Sequence, residues 1–198
     1  MAPMHSSIPA AEIERARARL AVHPTMAPLP AEFRTAVLDS CRWSRVEAGG
    51  IISRSEDTAD GMFAVGDGAV AMVSVLGAPD ADVGHIYHAG DWFGVDVIFT
   101  RMRRTAMSFA RLPTLLVHLP LADIERIGAS FPDGWRLFGL FAVRGTQTAV
   151  NILVDMMIAD SRRRCIATLL RLAGARFATP DRSPLVAPVN QVEIGVMA

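Results

Sequence analysis

The chain has 198 residues, with twenty basic and twenty acidic side chains and zero net charge, which argues against a surface that is a nucleic-acid footprint throughout. Hydrophobic residues make up 51% and the mean hydropathy is +0.30, enough for a substantial core and not the composition of a disordered chain. Two distant cysteines, Cys41 and Cys165, with no clustered histidines, argue against an iron–sulfur cluster or a structural zinc built by this chain alone and fit a reducing cytoplasm.

The N-terminus, "MAPMHSSIPAAEIERARARL", lacks the apolar core of a signal peptide, and no run of 18 apolar residues occurs. No membrane span is therefore expected. Residues 10–20 read as a short charged helix and residues 28–41 as a second, with Pro30 near its start and Phe33, Val37 and Leu38 at helical spacing.

From Trp43 to about Leu119 the texture changes. Short apolar segments ("GGIIS", "GMFAV", "GAVAMVSVL", "GHIYHAG", "RTAMSFA", "TLLVHL") alternate with Gly, Asp and Pro turns, the pattern of an antiparallel sandwich or barrel. "LADIERIGAS" then reads as a short helix, and residues 132–159 as one long one, spanning roughly 40 Å. The long helix carries two apolar stripes. Phe138, Ala142, Gly145, Ala149, Ile152 and Met156 form one; Val143, Val150, Val154 and Met157 form the other. Two stripes imply two partners, the barrel and the same helix of a second subunit, and the small residues of the first stripe suit a close dimer contact. A helix buried inside a monomer is the alternative.

Asp160 or Ser161 can cap a further helix carrying Ile166, Leu169, Leu170 and Ala173, ending near Ala178 before Pro180. Last, Asn190 and Glu193 are spaced as a capping box opening another helix.

This order of pieces resembles the Crp/Fnr family of bacterial transcription regulators, and several blocks of residues carry the likeness. "AGGIISRSEDTADGMFAVGDGAV" (48–70) is similar to that family's strand–turn–strand block, with Gly49, Asp57, Asp60, Phe63, Val65 and Gly68 on its recurrent positions. "AGDWFG" (89–94) and "RTAMSFA" (104–110) resemble the next two blocks. "DSRRRCIATLLRLA" (160–173) resembles the helix leading into a winged helix, and "VNQVEIGVMA" (189–198) the first helix of a helix-turn-helix. Glu56 stands where the family often has glycine, so a strained or differently shaped turn is expected there. The resemblance implies an α+β protein: a helical segment at 1–27, a cyclic-nucleotide-binding-like jelly-roll sensor at 28–131, a dimerisation helix at 132–159, and a truncated winged helix-turn-helix at 160–198 without its recognition helix. It implies a cytoplasmic, homodimeric, non-enzymatic regulator whose full-length form has DNA and RNA polymerase as partners.

The same resemblance implies a ligand site at Phe93, Gly94, Val95, Arg104, Thr105 and Ala106. A cyclic-nucleotide pocket needs backbone N–H donors facing the phosphate, an arginine fork and a carboxylate for the ribose hydroxyl. Gly94 and its successors can supply the first and Arg104 the second. Val95 cannot accept a hydrogen bond, and Asp96, in an extended segment, would point to the other side and could compensate only if the turn is redrawn. Losing a hydrogen bond to a charged group costs about 1.5–3 kcal/mol, roughly 10- to 150-fold in affinity. Tight cyclic AMP binding is therefore not expected, while a small anionic or nucleotide-like effector on Arg104 stays open; so do an Arg104 that is only part of a basic run, a packed turn with no ligand, and a haem or gas sensor. His85 and His88 at HxxH spacing in a strand would face opposite ways and are read as core or surface histidines with no metal site, which leaves a metal-dependent cupin enzyme as a remoter rival. The rival functional reading is a stand-alone ligand-binding barrel that dimerises without DNA.

Overall fold

The computed structural model describes residues 8–58, 60–74, 83–173 and 189–198. Helix α1 (Ala10–Val22) and helix α2 (Ala31–Asp39) lead into strand β1 (Arg42–Val46). The strands β2 (Ile51–Ser53), β3 (Gly61–Asp67), β4 (Ala69–Ser74), β5 (Val83–His88) and β6 (Trp92–Phe93) follow. Then come the short helix α3 (Asp96–Thr100) and strands β7 (Ala106–Ala110) and β8 (Thr114–Pro120). Helices α4 (Leu121–Ser130), α5 (Gly134–Met156), α6 (Ser161–Leu172) and α7 (Gln191–Met197) complete the described chain.

The strands form two antiparallel four-stranded sheets, ordered β1-β8-β3-β6 and β2-β7-β4-β5. With the flanking helices this is the α+β, jelly-roll-like architecture expected from the sequence. β3 and β8 are apolar along most of their length, because both faces are covered: one by the facing sheet, the other by helices. β1, β6 and α3 are short elements that hydropathy did not announce.

The main core lies between the first sheet and helices α1, α2, α4 and α5, where Leu20, Phe33, Ile124, Ile127, Leu137, Phe138 and Phe141 converge. Phe33 meets Phe131 and Phe138 edge-on, with centroids 5.4 and 5.1 Å apart, the geometry that ring quadrupoles favour. This corrects the expectation for Phe138. It is fully buried within this chain and is not a surface group of the first stripe.

Beyond Phe141 the helix leaves the core. Ala142 still packs on it, Gly145, Ala149 and Met156 are exposed, and Ile152 is half-buried. Val143, Val150, Leu153, Val154 and Met157 are all exposed, Met157 to 76%. The open apolar face of α5 is thus the second stripe together with the C-terminal half of the first. By length and composition α5 would suffice to cross a bilayer, with a mean hydropathy of 1.3 over its most apolar window, but its N-terminal half is committed to the core and it is not a clear span.

Asp160 caps α6, its carboxylate accepting from the Arg163 N–H at 2.8 Å. The expected continuation to Ala178 lies outside the described residues. α7 begins directly after Asn190, with the Ile194 N–H on the Asn190 carbonyl at 3.1 Å. Leu172 and Met197 pack with Ala69 and Ile86, so the C-terminal helices rest on β4 and β5.

Candidate functional site

Between the two sheets, at the end marked by the β6–α3 turn, lies a cavity of about 190 Å³. Phe93, Gly94, Arg104, Thr105 and Ala106 all line it. Val95 does not. It is 7% exposed and belongs to the main core with Val97 and Ile98.

Asp96, expected to face away, lines the cavity instead. The reason is local. Gly94 takes φ +69° and Val95 and its successors are helical. Successive side chains therefore turn by about 100° rather than alternate. An extended segment would have sent Asp96 outward; this turn sends Val95 inward and leaves the acid at the cavity. The carboxylate that Val95 could not provide is present one residue later.

Arg104 is held on every side. Its own N–H donates to the Asp57 carbonyl at 3.0 Å, and its carbonyl accepts from the Glu56 N–H at 2.8 Å. Its guanidinium, 5% exposed as a residue, pairs with Asp60 and donates to the Gly61 carbonyl at 2.8 Å. It also lies 4.9 Å from the centroid of the Phe63 ring, a cation–π arrangement. A buried guanidinium needs such partners, because an unpaired buried charge is strongly penalised. The surface-arginine alternative for Arg104 is thereby excluded.

Gly94 fits the same packing. A Cβ there would stand 2.7 Å from Arg104 Nη1, and the positive φ is itself poorly tolerated by other residues. The 56–57 turn that carries Arg104 is strained as anticipated, since Glu56 sits at φ +70°.

The aromatic wall is continuous. Tyr87 stacks on Phe93 at 4.9 Å, Phe93 on Phe63 at 5.5 Å, and Phe63 on His118 at 4.8 Å. Burial, then the Asp91 and Asp96 charges, raise the Tyr87 phenol above its ordinary value, so it stays a neutral donor. Its hydroxyl points at Met72 Sδ, 3.6 Å away. Opposite, Ser53 and Ser108 share a hydroxyl–hydroxyl hydrogen bond of 2.7 Å, both buried. His118, drawn below its usual range by burial and partly restored by Asp60, lies 3.6 Å from that carboxylate.

Ser53, Met72, Tyr87, Asp96 and Ser108 were not singled out from the sequence. Ser53 and Ser108 are partners in the β2–β7 ladder, a long-range pairing with no local signature. The two histidines of the HxxH separate: His85 is buried against Tyr87 and α6, and its imidazole is pushed down to about 3 by burial, Arg171 and His88. No cluster of three or more metal-binding side chains occurs among the described residues.

Set against known proteins, residues 43–131 match the family profile described as cyclic nucleotide-binding domain. No curated protein matches the chain by sequence. Among solved structures, the fold is similar to a candidate cyclic nucleotide-binding protein from Ruegeria pomeroyi, with a TM-score of 0.61 and 19% identity over 80% of this chain and 70% of that one. It is also similar to a cyclic nucleotide-binding domain from Methylobacillus flagellatus, with a TM-score of 0.62 and 14% identity over 75% and 83%. A third likeness is to the regulatory subunit of a cAMP-independent protein kinase A from Trypanosoma brucei, solved as a mutant bound to cAMP (TM-score 0.55, 15% identity, 71% and 49%). At these identities the solved structures speak for the fold. The sequence profile covers the sheets that build the cavity, which Arg104 and Asp96 both line.

Proposed function

We propose that this chain is an effector-sensing regulator of the Crp/Fnr type, with the cavity as its ligand site and a nucleotide-like anion as its effector. The observation that carries the reading is that Arg104 and Asp96 line one cavity in a segment matching the cyclic nucleotide-binding domain. In this reading Arg104 takes the ligand's phosphate, Asp96 accepts a hydroxyl, and Phe93 and Tyr87 offer ring faces to a base. The cavity is smaller than the roughly 300–1,000 Å³ of most ligand pockets. A nucleotide would therefore seat only as the wall opens or with part of the ligand outside.

The rest of the regulator reading follows the same line. The exposed apolar face of α5 supports a homodimer built on Val143, Val150, Val154 and Met157 with Gly145, Ala149, Ile152 and Met156 alongside. α6 and α7 would serve a cytoplasmic DNA-binding module that meets RNA polymerase at a promoter. Isothermal calorimetry with cyclic AMP, cyclic GMP and inorganic phosphate tests the core claim. Binding of a cyclic nucleotide that weakens in both Arg104→Gln and Asp96→Asn is the expected result. Absence of binding by all three probes would overturn the effector class.

A further inference from the structure

Tyr87, in the cavity wall, has a second neighbour on its own strand. His85, two residues back and therefore on the same side of β5, sets its ring edge-on to Tyr87 with centroids 4.8 Å apart. Beyond His85 stands a residue of α6: Arg171 Nη1 lies 3.3 Å from His85 Nδ1. The neutral imidazole can accept there from the guanidinium. Arg171 Nε in turn donates to Asp155 Oδ2 of α5 at 2.9 Å, and the two side chains are only 5% and 1% exposed. The next residue, Leu172, is fully buried beside Ile86 of the same strand. Contact is thus unbroken from the cavity through β5 to α6 and the end of α5.

Two features make this line of contact discrete. Among the described residues β5 is an outer strand, bonded to β4 alone, so it can shift with fewer ladder bonds broken than an inner strand. The Arg171–Asp155 pair is buried, and a buried pair that loses one partner is heavily penalised, so the contact is either made or broken.

We propose that Arg171 is a lock joining the aromatic wall of the cavity to the C-terminal helices, so that α6 is held or released according to what fills the cavity. A ligand that seats by opening the cavity wall moves the Tyr87 ring, and close packing passes that movement to His85. Reciprocity then requires that breaking the lock change affinity at the cavity. The ligand half of this proposal rests on the effector reading; the mechanical half is a property of the empty chain.

Hydrogen–deuterium exchange of the α6 amides, in the 198-residue chain, tests the mechanical half. Tyr87→Ala and Arg171→Met are each expected to speed exchange in α6, and the double variant to fall short of the product of the two by about threefold or more, the range of coupled neighbours. Multiplying effects would overturn the lock. If Arg171→Met also opens β3, Arg171→Lys, which keeps the charge and loses the planar fork, completes the same cycle. For the ligand half, cyclic AMP is added and binding is followed by calorimetry. Binding that alters α6 exchange in the unmodified chain and not in Arg171→Lys is the expected result. Binding with α6 unchanged would overturn the coupling and leave the effector reading standing. No binding would overturn the effector reading, and the empty-chain cycle would still decide the lock.

Discussion

Arg104 holds its guanidinium 4.9 Å from the centre of the Phe63 ring while bonding the Gly61 carbonyl two residues before it. One side chain thereby organises a strand start, an aromatic wall and the cavity's positive charge. Arg104→Met keeps most of the volume and removes the charge. It should lower stability by about 1.5–3 kcal/mol, the value of a hydrogen bond to a charged group, and abolish binding of anionic ligands. Urea unfolding and calorimetry measure the two effects separately.

Gly94→Ala tests the approach of Arg104 to the β6–α3 turn. The added methyl group would stand 2.7 Å from Nη1 on a backbone at φ +69°. A stability loss of about 1–2 kcal/mol is expected from the left-handed backbone alone, with weakened ligand binding as the arginine is displaced. Stability and affinity that both match the parent would show that the turn relaxes freely.

Glu56→Gly should act in the opposite direction. Glu56 has φ +70°, and its backbone groups serve Arg104 and Arg103, so glycine keeps the turn and removes the strain. Relief of about 1–2 kcal/mol is offset by the greater freedom of glycine in the unfolded chain, about 0.4–1 kcal/mol. A net gain of roughly 0.5–1 kcal/mol in thermal or urea unfolding is the expected outcome.

His85 sets a pH dependence. Its folded-state value is pushed down to about 3, whereas the free side chain titrates near 6.5. Between those limits the unfolded chain binds a proton that the folded one refuses, so stability falls as pH drops below 6.5. The slope from this one group is at most about 1.4 kcal/mol per pH unit. His23 and His118 are lowered too and add to the same trend. The measurement is therefore a difference: His85→Gln should show a shallower loss between pH 6.5 and 5 than the parent chain.

The two halves of α5 call for contrasting substitutions. Phe138→Ala empties a fully buried site in the main core and should cost about 3–5 kcal/mol of stability. Val150→Glu with Val154→Glu alters only exposed positions and should leave the fold intact; under the homodimer reading, the parent sediments as a dimer and this double variant as a monomer. A parent chain that sediments as a monomer, or a double variant that sediments as a dimeric parent does, would overturn the α5 interface.

Much of this architecture is legible in the sequence, and the positions that are not share a cause. The apolar segments from "GGIIS" to "TLLVHL" became strands because alternation and turn residues act locally. Glu56 proved strained because one backbone position demanded what only glycine gives cheaply. Val95 and Asp96 were misjudged because a five-residue helix is too short to leave a period in the sequence. Phe138 was misassigned because helical spacing records that a residue is apolar and not which neighbour arrives to cover it. Ser53 and Ser108 lie 55 positions apart, and only the strand register joins them.

The β6–α3 turn bears on how such chains are compared. With Val95 in the core and Asp96 at the cavity, the position right after Gly94 offers only an aliphatic side chain, and the acid stands one residue later. Deleting a single residue ahead of Asp96 would slide that acid toward an oily interior. Insertions and deletions in this corner should thus be rarer, and more damaging, than its loop-like appearance suggests.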